Sequence, residues 1–161
     1  MTDAFFSDNR LLAADDETVF VADGWGGLQE TSESGVTAIS AISGERLWQR
    51  TDLSTVTYHT GLFIQLLTSE RLVVNDEEGL LAALVPATGE TIWSFDLPLG
   101  YNASGAVTSN SIMYVGAHAT GEGETAPPIA YAIDLTDGSA IWQTTLAGGT
   151  DLQPIAPGPL R

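Results

Sequence analysis

The apolar residues of this chain fall in short runs rich in Val, Ile, Leu and aromatic side chains. Gly, Asn, Asp and Ser separate these runs, which is typical of strands joined by turns. No long segment repeats its apolar residues at the spacing of a helix. The pattern therefore predicts an all-β protein.

The runs are grouped into three similar units, and each unit predicts four antiparallel strands. The predicted strands are Leu11–Ala14, Val19–Asp23, Val36–Ile42 and Arg46–Arg50 in the first unit, Gly61–Leu67, Leu72–Asn75, Leu80–Val85 and Thr91–Phe95 in the second, and Gly105–Thr108, Ile112–Gly116, Ile129–Asp134 and Ala140–Thr144 in the third.

One signature recurs in all three units: an alanine, a glycine six residues later, and a tryptophan four residues after the glycine. The three tryptophans lie 45 and 49 residues apart (93 − 48 and 142 − 93), a period found in propeller blades and solenoid units. Units of four strands favour a β-propeller. The repeat residues are Ala38, Gly44 and Trp48, then Ala83, Gly89 and Trp93, then Ala132, Gly138 and Trp142.

These repeats divide the chain, which is predicted to be a single propeller segment over residues 1–161. The blades are predicted at about 11–50, 61–95 and 105–144, and residues 145–161 are predicted to begin a further blade. Three blades span too little arc to close a ring, since propellers close with about four to eight.

The residues of the signature also predict the turn that joins the third and fourth strands of each unit. The glycine suits the left-handed position of a hairpin turn between the third and fourth strands. Ser40 and Asp134 can accept a backbone hydrogen bond across that turn, whereas Val85 cannot. The tryptophan then lies on the outermost strand, with Leu47, Ile92 or Ile141 expected on the opposite face. Apolar residues on both faces predict a sheet buried on both sides.

Charge narrows the range of partners. The chain has 5 Lys and Arg, all of them Arg, against 21 Asp and Glu, for a net charge of −16. This charge disfavours nucleic acids and anionic lipids, because binding them requires basic clusters. It resembles the composition of proteins adapted to high salt, and an acidic protein from an ordinary environment is the alternative. With no cysteine, no disulfide framework or thiolate metal site is expected.

Two longer polar connections, at 24–35 and 118–128, are the candidate binding loops, since binding residues are concentrated in loops on rigid scaffolds. We assign no catalytic residue and no metal ligand. No signal peptide or membrane-spanning run is recognised, so membrane insertion is not expected. The candidate contact residues are Trp25, Glu30, Glu33, His118, Glu122 and Glu124.

The pattern Ala-x-Asp-x-x-Thr/Ser-Gly-x-x-x-Trp resembles the tryptophan-docking repeat of the pyrroloquinoline quinone (PQQ) dehydrogenase superfamily of β-propellers. The stretch from Ala132 to Trp142 matches it best, and Ala83 to Trp93 lacks only the Asp. For the dehydrogenases the resemblance implies a bound quinone beneath an adjacent cysteine pair, a calcium ion and a catalytic Asp. Because those residues are not matched here, PQQ and calcium are implied by resemblance only, and the non-catalytic branch is favoured.

Two possibilities follow for the open ring. A second copy of the chain completes it as a homo-oligomer, or the chain is part of a longer polypeptide that carries the remaining blades. The favoured function is a non-catalytic scaffold that binds protein partners. The alternatives are a fragment of a PQQ-dependent dehydrogenase and a surface or sensor propeller that binds a ligand. The resemblance implies the cell envelope or the extracellular space.

Overall fold

Antiparallel strands make up the regular structure of the computed structural model, which describes residues 9–23, 35–53, 63–76, 79–120 and 126–147. These residues form three four-stranded sheets with no helix among them, which confirms the all-β prediction. The order within each sheet follows the chain: β1-β2-β3-β4, β5-β6-β7-β8 and β9-β10-β11-β12. The strands are β1 Asn9–Ala14, β2 Thr18–Asp23, β3 Gly35–Ser40, β4 Arg46–Arg50, β5 Phe63–Leu67, β6 Leu72–Asn75, β7 Leu80–Leu84, β8 Thr91–Asp96, β9 Tyr101–Ser109, β10 Ile112–Ala119, β11 Ile129–Asp134 and β12 Ala140–Thr145.

The largest departure from the predicted strands is in the third sheet. There the β9–β10 hairpin is longer at its open end, because His118 pairs with Asn102 and Ala119 with Tyr101. The predicted break at Gly105 and Gly116 is wrong: the strands continue past an irregularity in register between Val115 and Ala117. Gly105 has a φ of 128°, a conformation open to glycine alone, and so accommodates the bulge without ending the strand.

The hairpin between the third and fourth strands has the same geometry in every sheet. Gly44, Gly89 and Gly138 have φ values of 74°, 73° and 76°, in the left-handed region. Ser40 Oγ accepts a hydrogen bond from Ser43 N at 3.1 Å, and Asp134 Oδ1 accepts one from Thr136 N at 2.7 Å. These side chains close the turn locally in the first and third sheets.

A β-bulge follows in the same place in each sheet. Ala38 pairs with Trp48 and Ile39 with Arg46, so Leu47 is the extra residue on the outer strand. Ile92 and Ile141 are skipped in the same way. All three side chains are partly exposed, at 53%, 37% and 51%. The sequence expectation that they are buried on the opposite face is therefore wrong, since a bulge residue does not follow the alternation of a regular strand.

The core lies between the sheets, in two apolar clusters. The middle sheet contributes alternate residues of one strand to each: Leu72 and Val74 face the first sheet, and Val73 faces the third. Every residue of β6 is buried. A strand that is buried on both faces needs apolar residues at consecutive positions, which explains the run Leu-Val-Val. Strand β5 contacts both β1 and β9, so the first strands of the sheets lie side by side.

Candidate binding faces

The first sheet joins the second through an indole and a glycine turn. Trp48, on β4, donates its Nε1 hydrogen to the backbone oxygen of Pro86 at 2.8 Å. Its ring lies so close to Gly89 that a Cβ atom there would come within 2.7 Å of Trp48 Cε3. Glycine is therefore required at this turn both for its positive φ and for the close approach of the ring. We call this arrangement the indole–turn contact.

The same contact joins the second sheet to the third. Trp93 Nε1 donates to the backbone oxygen of Leu135 at 2.9 Å, and a Cβ at Gly138 would lie 2.7 Å from Trp93 Cδ2. The indole is only 6% exposed. A buried N–H needs an acceptor, and a backbone oxygen provides one whatever the side chain of that residue.

The alanine of the signature leaves room for the indole. Ala38 pairs with both Phe20 and Trp48, so the three residues form one row across the sheet. Because alanine is small, the rings of Phe20 and Trp48 meet over it, with centroids 6.0 Å apart. In the third sheet Tyr114 and Trp142 lie at the same separation over Ala132, which is fully buried beneath them.

The third sheet presents an indole that contacts no further turn among the described residues. Trp142 is 45% exposed, although it occupies the position of the buried Trp93. We call the row of Tyr114, Ala132 and Trp142 the end face. By strand alternation this row lies opposite Met113 and Ile133, which pack in the cluster with the second sheet. The end face is therefore the side of the stack that points away from the second sheet.

The first sheet presents the complementary half. Within the described part of the chain nothing lies within 4 Å of the position that a Cβ of Gly44 would take, although the φ of Gly44 matches that of Gly89 and Gly138. Val19, Val21 and Ile39 alternate with Phe20 and Ala38, which pack against the second sheet. Val19, Val21 and Ile39 are partly exposed. We call Val19, Val21 and Ile39, together with the Gly44 turn, the start face.

Two arginines strengthen the junctions between sheets, and the sequence reasoning missed them. Arg50 Nη1 donates to the backbone oxygen of Gly89 at 2.6 Å, and its guanidinium also forms a two-point ion pair with Asp52 at 2.6 and 2.9 Å. This hydrogen-bonded pair lowers the pKa of Asp52. Arg71 Nε donates to Leu135 O at 2.6 Å, the oxygen that also accepts from Trp93. The scarcity of basic residues was the signal that could have drawn attention to them.

Amide side chains link the second and third sheets at the end of β6. Asn75 is 1% exposed, accepts from Gln65 Nε2 at 2.5 Å and donates to Asn102 Oδ1 at 2.9 Å. Buried amides in such a network are satisfied by one another and fix the relative position of the strands that carry them. Here they join β5, β6 and β9.

The candidate loop residues are mostly outside the part of the chain that the structure describes. These are Trp25, Glu30, Glu33, Glu122 and Glu124. His118 is described, and its expected position in a loop is wrong because it lies in β10. Its Nδ1 is buried and makes no hydrogen bond within the described residues. Of the six candidate loop residues, His118 alone lies within the described residues.

The described residues do not fit the calcium and quinone pair that the dehydrogenase resemblance implies. Within the described ranges no three His, Asp or Glu side chains lie together as a metal site requires. The buried Asp76 accepts from Leu80 N at 2.8 Å inside its own hairpin. The chain also has no cysteine that could cover a quinone. We derive no chemistry through these groups.

The family of the chain follows from comparison with known proteins. Residues 7–156 match the model of a family of PQQ-like repeats described as "Outer membrane protein assembly factor BamB". The chain belongs to this family. The outer membrane protein assembly factor BamB of Yersinia pestis is 34% identical over 90 residues, which are 50% of this chain and 21% of that protein. The chain thus spans about a fifth of the curated relative that it matches.

Solved structures agree on the fold. BamB from Moraxella catarrhalis superposes with a TM-score of 0.56 at 16% identity, over 85% of this chain and 38% of that one. A europium-containing methanol dehydrogenase gives a TM-score of 0.64 at 17% identity, over 89% of this chain and 26% of that one. At such identities the likeness concerns the fold alone, and the three sheets are blades of a partial β-propeller. No helix in the described residues is long and apolar enough to span a membrane.

Proposed function

We propose that this chain is a non-catalytic PQQ-like propeller module that binds proteins as a scaffold. The observation that carries the proposal is the family match over residues 7–156, whose description names an assembly factor. The shared fold with a dehydrogenase does not favour catalysis, because blades of one architecture serve several functions. The proposal includes no cofactor, and its partners are proteins and further propeller blades.

The proposed setting is the cell envelope or the extracellular space of a salt-adapted organism. The envelope is supported by the words "outer membrane protein assembly" in the descriptions of the matched family and of its Yersinia pestis relative. Salt adaptation is supported by the net charge of −16 in a chain without lysine. Such a surface repels itself in dilute buffer and is screened within about 3 Å at 1 M salt.

Crosslinking in the source organism tests the scaffold function. A photoreactive amino acid replaces Trp25 or Glu122 in the candidate loops, and Leu99 serves as the control because its side chain is fully exposed and lies outside those loops. We expect a discrete protein adduct from a loop position and none from position 99. Adducts that are absent, or the same from all three positions, would contradict the proposal.

Titration with PQQ and calcium tests the rival function. We expect no saturable heat or fluorescence change, because the described residues offer no cage for the metal. Stoichiometric, saturable binding would replace the scaffold with a segment of a quinone-dependent enzyme.

A further inference from the structure

The hairpin that joins β9 to β10 turns on two residues with a left-handed backbone. Asn110 and Ser111 have φ values of 51° and 62°, and Ser109 pairs with Ile112 on either side of them. A two-residue loop with two positive φ values is a type I′ turn, which prefers glycine at its second position. Asparagine tolerates this region better than most residues, whereas serine adopts it at a cost. The strained residue of this turn therefore directly follows an asparagine.

A contact from outside the turn holds the strained residue in place. Leu135 N donates to Ser111 O at 2.9 Å. Leu135 is itself fixed, because it is 7% exposed and its oxygen accepts from both Trp93 Nε1 and Arg71 Nε. Unfavourable backbone conformations persist where the surrounding structure determines them in this way. The packing of the third sheet therefore keeps the turn in its left-handed form.

The side-chain amide of Asn110 and the backbone nitrogen of Ser111 are accessible to one another and to water. Both residues are exposed. Within the described part of the chain, the Asn110 side chain makes no hydrogen bond and Ser111 N donates none. Because the serine side chain is small, it leaves the path from its own nitrogen to Asn110 Cγ open. We propose that Asn110 is a site of spontaneous deamidation, through a cyclic imide formed with Ser111.

The reaction needs only water and a base. Ser111 N loses its proton to the base and attacks Asn110 Cγ, which closes a five-membered imide ring. The Cγ–Nδ2 bond breaks, and the side-chain nitrogen takes up a proton and leaves as ammonia. Water then adds to one of the two ring carbonyls and opens the ring, which gives aspartate or isoaspartate at position 110. One water is consumed and one ammonia is released.

The hairpin can accommodate the imide. The ring fixes ψ of residue 110 near about −120°, which together with a φ of 51° belongs to the first central position of a type II′ turn. The type II′ turn is the other favoured two-residue hairpin, and it needs a positive φ at that position alone. Rotation of the peptide group between Asn110 and Ser111 converts one turn into the other. Because this rotation takes Ser111 out of the left-handed region, relief of strain favours ring closure.

Both products change the third sheet. Each adds one negative charge to a chain whose net charge is −16. Isoaspartate also places one extra carbon atom in the main chain of the turn, and the length of a hairpin turn sets the register of its strands. Deamidation at Asn110 therefore alters the charge and the geometry at one end of β9 and β10.

Two other asparagines provide internal comparisons. Asn75 is 1% exposed, and its side chain donates to Asn102 Oδ1 at 2.9 Å. The nitrogen that would attack it, Asp76 N, donates to Leu80 O at 3.0 Å. We expect Asn75 and Asn102 to react at least about tenfold more slowly than Asn110, because the hydrogen bonds that hold them must open first.

Incubation of the folded chain in mildly alkaline buffer, followed by peptide mapping with mass spectrometry, tests the proposal. We expect the mass change from amide to acid to occur first at position 110, and its rate to rise with pH because a base removes the proton of Ser111 N. Hydroxylamine, which cleaves imides, should cut the chain between residues 110 and 111. Asn110→Gly is the matched control, because glycine keeps the positive φ and removes the side-chain amide. It should give neither the acid nor the cleavage.

The same incubation in guanidinium chloride separates the effect of the turn from that of the local sequence. Asn110 should react at least as fast in the folded chain as in the unfolded chain, whereas Asn75 and Asn102 should become reactive only on unfolding. Circular dichroism shows that the folded sample keeps its strands during the incubation. A folded Asn110 that reacts more slowly than the unfolded one, or no faster than Asn75 and Asn102, would overturn the inference. Hydroxylamine cleavage at the same bond in Asn110→Gly would also overturn it.

Discussion

Replacing the turn glycines by alanine should cost different amounts of stability, although their backbone angles are nearly equal. Gly138 and Gly44 have φ values of 76° and 74°, so a left-handed alanine should cost each about 1–2 kcal/mol. Of these two glycines, only Gly138 contacts an indole: a Cβ there would lie 2.7 to 2.8 Å from three atoms of Trp93. Trp93 is 6% exposed and its Nε1 is bonded to Leu135 O, so it has little freedom to move away.

Overpacking of this kind adds about 1–3 kcal/mol. We therefore expect Gly138→Ala to lower the free energy of unfolding by about 2–5 kcal/mol and Gly44→Ala by about 1–2 kcal/mol. Urea unfolding followed by circular dichroism, at a protein concentration low enough to prevent association, measures both. The Gly44 variant is the matched control, because it has the same turn and no indole packed against it. Equal losses in the two variants would refute the view that the indole, in addition to the backbone angle, requires glycine.

Three other predictions concern the tryptophans, one carboxylate and salt. Trp93→Ala should lower the free energy of unfolding by about 3–5 kcal/mol, whereas Trp142→Ala should cost clearly less because its ring is 45% exposed; equal urea midpoints would contradict this. The pKa of Asp52 is lowered below 3.8 by its hydrogen bond with Arg50, so the small stabilisation from this carboxylate is present above about pH 4 and is lost as the pH falls through the lowered pKa. The difference in free energy of unfolding between the Asp52→Asn variant and the natural chain should therefore become smaller in acid. A difference that does not change with pH would contradict the assignment of this stabilisation to the Asp52 carboxylate. Added sodium chloride should raise the thermal midpoint, because it screens the net charge of −16; a midpoint that falls between low and molar salt would contradict the salt-adapted interpretation.

Local patterns were enough to predict the order of the strands. The strands Arg46–Arg50, Leu72–Asn75 and Ile129–Asp134 have the predicted bounds, because turn residues flank each apolar run. The β9–β10 extension was missed, since Gly105 looks like a strand end when its role in a bulge is unknown. The exposure of Ile92 was missed for a related reason: a one-residue bulge changes the alternation from which burial is predicted.

The candidate site was less accessible to sequence reasoning than the fold. The acceptor oxygens are backbone oxygens of Pro86 and Leu135. Every residue carries a backbone oxygen, so the residue types at these positions do not predict the hydrogen bonds. Arg50 lies two residues after Trp48, and strand alternation could have placed it on the same side. No pattern within β4 indicates that its guanidinium reaches a turn 39 residues away. Pairing between units is a property of the assembled sheets.

The use of a main-chain acceptor has an evolutionary consequence. Each indole–turn contact requires from the following unit only a glycine and a backbone oxygen, which every residue carries. Any unit can therefore follow any other without matched side chains at that contact. Duplication or deletion of a whole unit would then preserve the indole–turn contact at every junction. Recombination could then change the number of blades in a ring before point mutations improve the packing between the new neighbouring blades.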